Sequence, residues 1–208
     1  RTVDPVIFVD SKGRAYTVEA AQLPPARGDG APASSLVEVQ DGAHILYCLS
    51  GKPEKKVLVA TTAGYGFLCV VGDMISSRRA GREFMTVDEG GTPLPPFLYE
   101  EAKGTYVAAL SQNGRLLLFA IDELKVLAKG RGVIVMGLDE GEKLFAAVVS
   151  DRPKLIVRGI TRGGKEKEFL LEKDKLAHHV LKRARMGRVV SGVVKSTALV
   201  VPATPDGG

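Results

Sequence analysis

The chain has no tryptophan, only two cysteines and no long hydrophobic run among its 208 residues. A membrane-spanning helix needs about 20 consecutive apolar residues, so the sequence predicts no membrane span, and no signal-peptide pattern opens it. The two cysteines, Cys48 and Cys69, both lie inside apolar runs. That setting predicts buried, reduced thiols on strands, with a disulfide or a metal pair as the alternative.

The composition indicates a folded domain built from short strands. Hydrophobic residues make up 45% of the chain, which is enough to bury a sizeable core. The 24 glycines and 11 prolines are many for a helical protein but natural for strands joined by tight turns. Lysine and arginine number 29 against 24 aspartates and glutamates, and this excess of positive charge favours polyanionic partners.

An internal repeat organises the chain. In its clearest copy, residues 57–82 join an apolar run, a glycine turn, a second apolar run and a basic corner that contains glycine. Similar strings recur, with turn glycines at 13, 64, 114 and 164 and corner glycines at 30, 81, 132 and 187. Four strands in a repeat of this length are typical of a propeller blade, because one small sheet cannot bury both of its faces alone.

The repeat predicts a single all-β domain of about four four-stranded antiparallel blades. We expect the blades at approximately residues 5–50, 55–101, 105–150 and 154–201, and a frayed tail at 202–208. In each unit, two strands flank the turn glycine, and a connection that can hold a helical turn leads to the corner and two further strands. The third strands are predicted at residues 35–39, 83–87, 133–138 and 189–194.

The basic corners are the candidate functional residues. A propeller sets equivalent corners side by side on its rim, where they would form a curved cationic band. Arginine binds phosphate oxygens bidentately, and glycine lets backbone amides approach phosphate closely. For any single corner, a solvated charged turn without function is the alternative. The candidate DNA-binding residues are Arg27, which Asp29 offsets, and Arg78, Arg79, Arg82, Lys125, Lys129, Arg131, Lys182, Arg183, Arg185 and Arg188.

No set of side chains converges on catalysis. His178 and His179 are adjacent and therefore point in different directions on a helix or a strand, and His44 is isolated. Neither a phosphate-binding loop nor a complete GxGxxG fingerprint occurs. Tyr65 and Phe67 alternate with glycines, a pattern that fits packing on a sheet face better than stacking on a base. We therefore predict no catalytic residue, no metal site and no cofactor in this chain.

Three segments carry a family resemblance: PVIFVDSKGRAYTVEAAQLPPARGDGAP, ATTAGYGFLCVVGDMISSRRAGR and LSQNGRLLLFAIDELKVLAKGRG. Over roughly residues 5–195 the chain resembles the C-terminal domain of bacterial topoisomerase IV A subunits (ParC) and the related gyrase tail. The resemblance implies a β-pinwheel, a propeller-like fold of four-stranded blades that exchange strands with their neighbours. It also implies an outer rim that binds and bends duplex DNA beside a separate catalytic core.

The same resemblance implies the partners of the chain. They are double-stranded DNA, the ATPase subunit ParE and the catalytic core of the same polypeptide, in a bacterial cytoplasmic enzyme that works at the nucleoid. The full enzyme of that family uses ATP and Mg²⁺ in other domains to decatenate and relax DNA. The domain would engage the transported DNA segment and would bind with low sequence specificity.

Two departures from the family pattern matter. The gyrase tail carries a Gln-Arg-Arg-Gly-Gly-type box, and no complete copy occurs here, so introduction of negative supercoils is not implied. The family domain usually has a further blade upstream of PVIFVD, which predicts an open ring for the four units. The alternatives from other classes are a propeller-like interaction module whose basic corners dock an acidic protein, and an enzyme of propeller fold.

Overall fold

The computed structural model describes residues 4–25 and 30–203, and within them the secondary structure is almost entirely β. The all-β prediction is confirmed. In chain order the strands are β1 (Val6–Asp10), β2 (Arg14–Val18), β3 (Ile45–Ser50), β4 (Lys56–Ala60), β5 (Tyr65–Val70), β6 (Arg82–Glu83), β7 (Phe97–Tyr99), β8 (Tyr106–Ser111), β9 (Arg115–Ala120), β10 (Val133–Ile134), β11 (Leu144–Ser150), β12 (Lys154–Ile160), β13 (Glu166–Glu172), β14 (Arg188–Val189) and β15 (Lys195–Val200).

The strands form four antiparallel sheets that exchange strands along the chain. Their orders are β3-β1-β2-β6, β10-β5-β4-β7, β11-β8-β9-β14 and β13-β12-β15. In the first three sheets, the short strand β6, β10 or β14 comes from the corner of the following unit. This is the exchange that the β-pinwheel resemblance implies, and that fold prediction is confirmed. Among the described residues no strand pairs the fourth sheet with the first, so the row of sheets is open.

Apolar side chains from neighbouring sheets build a shared core. Ile7 and Val9 of the first sheet lie in one buried cluster with Phe67 of the second. Leu58 of the second sheet lies in another cluster with Phe119 of the third. Because an inner sheet is covered on both faces, its central strands are nearly continuous apolar runs rather than alternating ones.

The predicted third strands are shorter than expected, and one of them is wrong. β6, β10 and β14 are two residues long because the backbone then changes partner: after β6, the amide of Thr86 donates to the carbonyl of Gly130 in the next corner, at 3.0 Å. No strand forms at 35–39, and a 3-10 helix occupies Ala33–Ser35. In the other units the corresponding segment pairs with the preceding sheet, and the described residues hold no sheet before the first.

The connections between the second strands and the corners do carry helical turns, as predicted. They are α1 (Val71–Met74), a 3-10 helix at Ile121–Glu123 and α2 (Lys173–Ala177), and each buries at least one apolar side chain. A further 3-10 helix lies at Ala20–Gln22. No helix in the described part of the chain is long and apolar enough to span a membrane.

The repeating glycines have a steric cause in the strand exchange. Gly81, Gly132 and Gly187 have positive φ, and a Cβ on any of them would lie within 3 Å of a backbone carbonyl oxygen in the preceding sheet. Gly164 also has positive φ, at 74°, but a Cβ there would meet nothing within 4 Å. Gly164 lies in the turn between β12 and β13 of the fourth sheet, which receives no exchanged strand among the described residues. Close approach of backbones therefore explains the corner glycines at positions 81, 132 and 187, and the access of phosphate to this backbone stays a prediction.

The two cysteines differ in exposure. Cys69 on β5 is buried, and burial together with the nearby Asp73 carboxylate raises the pKa of its thiol to about 12. Cys48 on β3 is exposed, so the prediction that it is buried is wrong. The reason is that β3 is the edge strand of the first sheet, where alternate side chains face solvent. Both thiols are free.

We expect a maleimide to label Cys48 rapidly and Cys69 hardly at all when the folded protein is treated near neutral pH. The thiolate is the reactive form, and the raised pKa of Cys69 leaves almost none of it. Mass spectrometry should find one label on the native protein and two after denaturation. Equal labelling rates at the two cysteines of the native protein would contradict this picture.

Alanine substitutions at Gly164 and Gly132 should separate the cost of a left-handed backbone conformation from the cost of a steric clash between the new Cβ and the neighbouring sheet. Gly164→Ala should cost about 1–2 kcal/mol, the cost of left-handed backbone for an ordinary residue. Gly132→Ala should cost more than about 4 kcal/mol, because its Cβ would also collide with the carbonyl of Gly66. The midpoints of urea denaturation measure both changes. Equal losses at the two positions would show that the close approach at Gly132 contributes nothing.

Candidate nucleic-acid interface

Backbone hydrogen bonds set the three described basic corners in a row. Each corner accepts a bond from the segment that follows the previous corner, so adjacent units are joined at the same place. The repeated register in the sequence is therefore a repeated physical contact. The three bonds run from the amide of Glu38 to the carbonyl of Arg79, from Thr86 to Gly130 and from Gly137 to Arg185, each at 3.0 Å.

Two of these corners open onto one cationic cleft, which we call the corner cleft. Arg78 and Arg82 of the second unit line it together with Lys129 of the third, around a volume of about 480 Å³. Arg78 and Lys129 are exposed and Arg82 is half-buried. Within the described residues none of these three side chains has an ion pair or a hydrogen bond. The corner cleft thus holds three cations from two units that form no described ion pair, and Glu83, which also lines it, lies 4.0 Å from Arg14.

Arg14 shapes the corner cleft from the sheet beneath it. Its guanidinium donates to the carbonyl of Ala80 from Nε at 3.1 Å and from Nη2 at 2.8 Å, and to Gly81 at 3.2 Å. The side chain is only 15% exposed. Sequence reasoning missed Arg14, although a basic residue directly after a turn glycine also occurs at Arg115. Arg14 fixes the backbone from which Arg78 and Arg82 project.

Two other corner arginines are partly committed to carboxylates. Arg131 forms a two-point ion pair with Asp88, with Nη2 to Oδ1 at 2.9 Å and Nε to Oδ2 at 3.2 Å. Its guanidinium carbon also lies 3.8 Å from the ring centroid of Tyr65. Arg79 is held more loosely, 4.0 Å from Glu38, and its side chain remains 66% exposed. Arg79 is therefore more available to an external anion than Arg131.

The fourth-unit corner uses its arginines to hold the fold. Arg183 donates from Nη1 to the carbonyl of Ile134 at 2.6 Å. Arg188 donates to the carbonyl of His178 at 2.8 Å. Among the remaining candidate residues of the corners, Lys125 of the third unit and Lys182 and Arg185 of the fourth are exposed and have no ion pair in the described ranges. Arg27 lies outside the described residues.

The two histidines of the fourth unit support this corner. His179 is buried with Nδ1 3.3 Å from the carbonyl of Leu116, and its own backbone carbonyl accepts from Leu118 at 2.9 Å. Burial lowers the pKa of His179, and neighbouring His178 adds to the shift. No group of three or more histidine, cysteine, aspartate or glutamate side chains in the described residues is arranged to hold a metal ion.

The aromatic residues near the turns serve packing. Phe67 is fully buried and makes an edge contact with Phe84, with ring centroids 5.6 Å apart. Phe84 belongs to the segment that the second unit contributes to the first sheet. Tyr65 supports Arg131 instead of standing open to a base. The packing prediction is confirmed for Phe67.

Comparisons with known proteins agree with this architecture. The family model described as DNA gyrase C-terminal domain, beta-propeller, matches residues 55–92 and 105–151. The A subunit of DNA topoisomerase 4 from Neisseria gonorrhoeae is 40% identical over 195 residues, which are 88% of this chain and 24% of that protein. Its counterpart from Escherichia coli K12 is 36% identical over 138 residues, 66% of this chain and 18% of that protein. The chain therefore spans about a quarter or less of these relatives' length.

Solved structures show the same fold. The Escherichia coli ParC C-terminal domain superposes with a TM-score of 0.85 at 28% identity, over 97% of this chain and 82% of that one. A DNA gyrase A C-terminal domain superposes with a TM-score of 0.72 over 98% of this chain and 67% of that one. Because the sequence identity is only 18%, this match shows a shared fold and nothing further.

The buried histidine makes a pH-dependent contribution that can be measured. Because the folded state lowers the pKa of His179 below its usual 6.5, the unfolded chain binds this proton more tightly. Its contribution to stability is full above pH 6.5 and declines as the pH falls from there towards the folded-state pKa. Urea denaturation should show a smaller loss of stability between neutral and mildly acidic pH for His179→Gln than for the wild type. An unchanged profile for His179→Gln would refute the assignment.

Proposed function

Because the chain belongs to the family of C-terminal domains of DNA gyrase and topoisomerase IV A subunits, we propose that it is a non-catalytic domain that binds and bends duplex DNA. The observation that carries the proposal is the corner cleft. Arg78, Arg82 and Lys129 bring three cations from adjacent units together, and none of them forms an ion pair among the described residues, although the carboxylate of Glu83 also lines the cleft. Clefts lined mainly by one sign of charge concentrate the opposite charge.

The chemistry of the corner cleft fits a phosphate backbone. Arginine offers two parallel donors to phosphate oxygens, and lysine adds a compact point charge. Contacts of this kind fix the position of a duplex without reading its bases. Each neutralised phosphate also releases condensed counter-ions, so the affinity falls steeply with salt. We therefore expect binding with strong salt dependence and little sequence preference.

The row of corners extends the contact beyond one cleft. Lys125, Lys182, Arg185 and the loosely held Arg79 add exposed cations on neighbouring corners. Smooth bending of a short DNA site costs on the order of 1–6 kcal/mol. Contacts from more than one unit are needed to offset that cost. The corner cleft would be the dominant contact, and the fourth-unit corner would contribute less because Arg183 and Arg188 already hold the fold.

Within the full enzyme, the domain would present the transported DNA segment to the catalytic core of the same polypeptide. That enzyme would work at the nucleoid in the bacterial cytoplasm. There it would decatenate and relax DNA together with the ATPase subunit ParE. ATP and Mg²⁺ would bind in other domains. The domain itself would contribute DNA positioning.

We expect the triple substitution Arg78→Ala, Arg82→Ala and Lys129→Ala to weaken duplex binding about 10- to 100-fold at low salt. The slope of log affinity against log salt should fall by about 2 to 3, because three phosphate contacts are lost. Fluorescence anisotropy with a labelled duplex at several salt concentrations measures both quantities. Thermal unfolding should be nearly unchanged, because none of the three side chains has a described partner in the fold.

A charge-matched control separates the cleft from net charge. Lys52, Lys103 and Arg162 are exposed and have no ion pair in the described part of the chain, and their triple alanine variant should bind nearly as the wild type does. Equal losses in the two triple variants would mean that net charge alone governs binding. Failure of the wild-type domain to bind duplex DNA at low salt would overturn the proposal in favour of a protein-docking module.

A further inference from the structure

The contact between Arg131 and Asp88 differs from its surroundings on the row of corners. The three cations of the corner cleft form no ion pair among the described residues, whereas Arg131 is paired with a carboxylate from the preceding unit. Both donors of the guanidinium edge formed by Nε and Nη2 are occupied, at 3.2 Å and 2.9 Å. This is the edge with which arginine grips a phosphate bidentately. Asp88 therefore stands where a phosphate would bind.

We propose that Asp88 sets the DNA affinity of this corner by acting as an internal competitor for phosphate at Arg131. The inference rests on the proposed function, because it needs DNA at the row of corners. A phosphate that binds the Nε and Nη2 edge has to displace the Asp88 carboxylate. The pair is half exposed, with side-chain exposures of 47% for Arg131 and 32% for Asp88, so water and salt already weaken it. Exchange of one anion for another is thus feasible at this site.

Tyr65 keeps Arg131 in position during the exchange. The guanidinium carbon lies 3.8 Å from the centroid of the Tyr65 ring, a stacked contact that does not use the hydrogen-bond donors. Tyr65 is the first residue of β5 and pairs with Ile134 of the exchanged strand β10, so the ring itself is anchored by backbone. Loss of the carboxylate would leave a guanidinium that is still oriented on the ring.

The turn that carries Asp88 does not depend on the carboxylate. The backbone carbonyl of Asp88 accepts a hydrogen bond from the amide of Gly91 at 2.9 Å, and this bond closes the turn. A neutral side chain at position 88 should therefore preserve the backbone while releasing Arg131. The adjacent Glu89 is exposed and has no ion pair in the described ranges. Glu89→Gln therefore removes one negative charge, as Asp88→Asn does, but leaves the ion pair between Arg131 and Asp88 intact.

The test compares Asp88→Asn with Glu89→Gln in duplex binding over a range of salt. We expect Asp88→Asn to bind DNA about two- to fivefold more tightly than Glu89→Gln, since a partly exposed ion pair has been removed. Its salt slope should be steeper by about 1, which corresponds to one added phosphate contact. Asp88→Ser serves as a second variant, and thermal unfolding of all variants confirms that they fold.

A double-mutant cycle assigns the gain to Arg131. Arg131→Ala alone should weaken binding, because it removes the cation that takes the phosphate and leaves the Asp88 carboxylate without its partner. In the Arg131→Ala background, Asp88→Asn should no longer improve binding beyond the effect of Glu89→Gln. Equal affinities of Asp88→Asn and Glu89→Gln, or a gain that persists without Arg131, would overturn this inference alone. Absence of DNA binding by the wild type would overturn the proposed function with it.

Discussion

The backbone pairing between each corner and the sheet before it is the contact on which the rest of the structure depends. Arg14 and Ala15 pair with Glu83 and Arg82 across the first junction, and the same arrangement recurs at the next two. A sheet edge that would otherwise be open is closed at each junction by the following unit. Units joined in this way cannot shift relative to one another without breaking backbone hydrogen bonds, and the corners inherit that fixed spacing.

Arginine serves two different purposes on this framework. Arg14 and Arg183 donate hydrogen bonds to backbone carbonyls, so they stabilise the fold. Arg78 and Arg82 stand on backbone that Arg14 fixes, and they face solvent. A preorganised cation loses less ordering entropy when it meets a phosphate. The structural arginines thus prepare the surface on which the exposed ones act.

The sequence contains the repeat in a directly readable form because the exchange of strands constrains glycine sterically. Gly132 approaches the carbonyl of Gly66 too closely for any side chain, and the period of the fold can be read from such positions. The exchange of strands itself cannot be predicted from the residues alone, because it pairs residues as far apart in the sequence as Arg14 and Glu83. The same distance hides which cations are compensated: Arg131 and Asp88 lie 43 positions apart. The exposure of Cys48 also required the order of strands within its sheet. The DNA contacts of the corner residues stay predictions.

The strand β13 has a consequence for behaviour in concentrated solution. It forms the outer edge of the three-stranded fourth sheet, and its outer backbone groups have no partner strand in the described residues. An exposed edge of this kind invites pairing with another molecule. β13 carries Glu166, Lys167, Glu168 and Glu172, and these charges are exposed. A second β13 laid alongside would bury these charges at a cost, so the charged side chains protect this edge against aggregation.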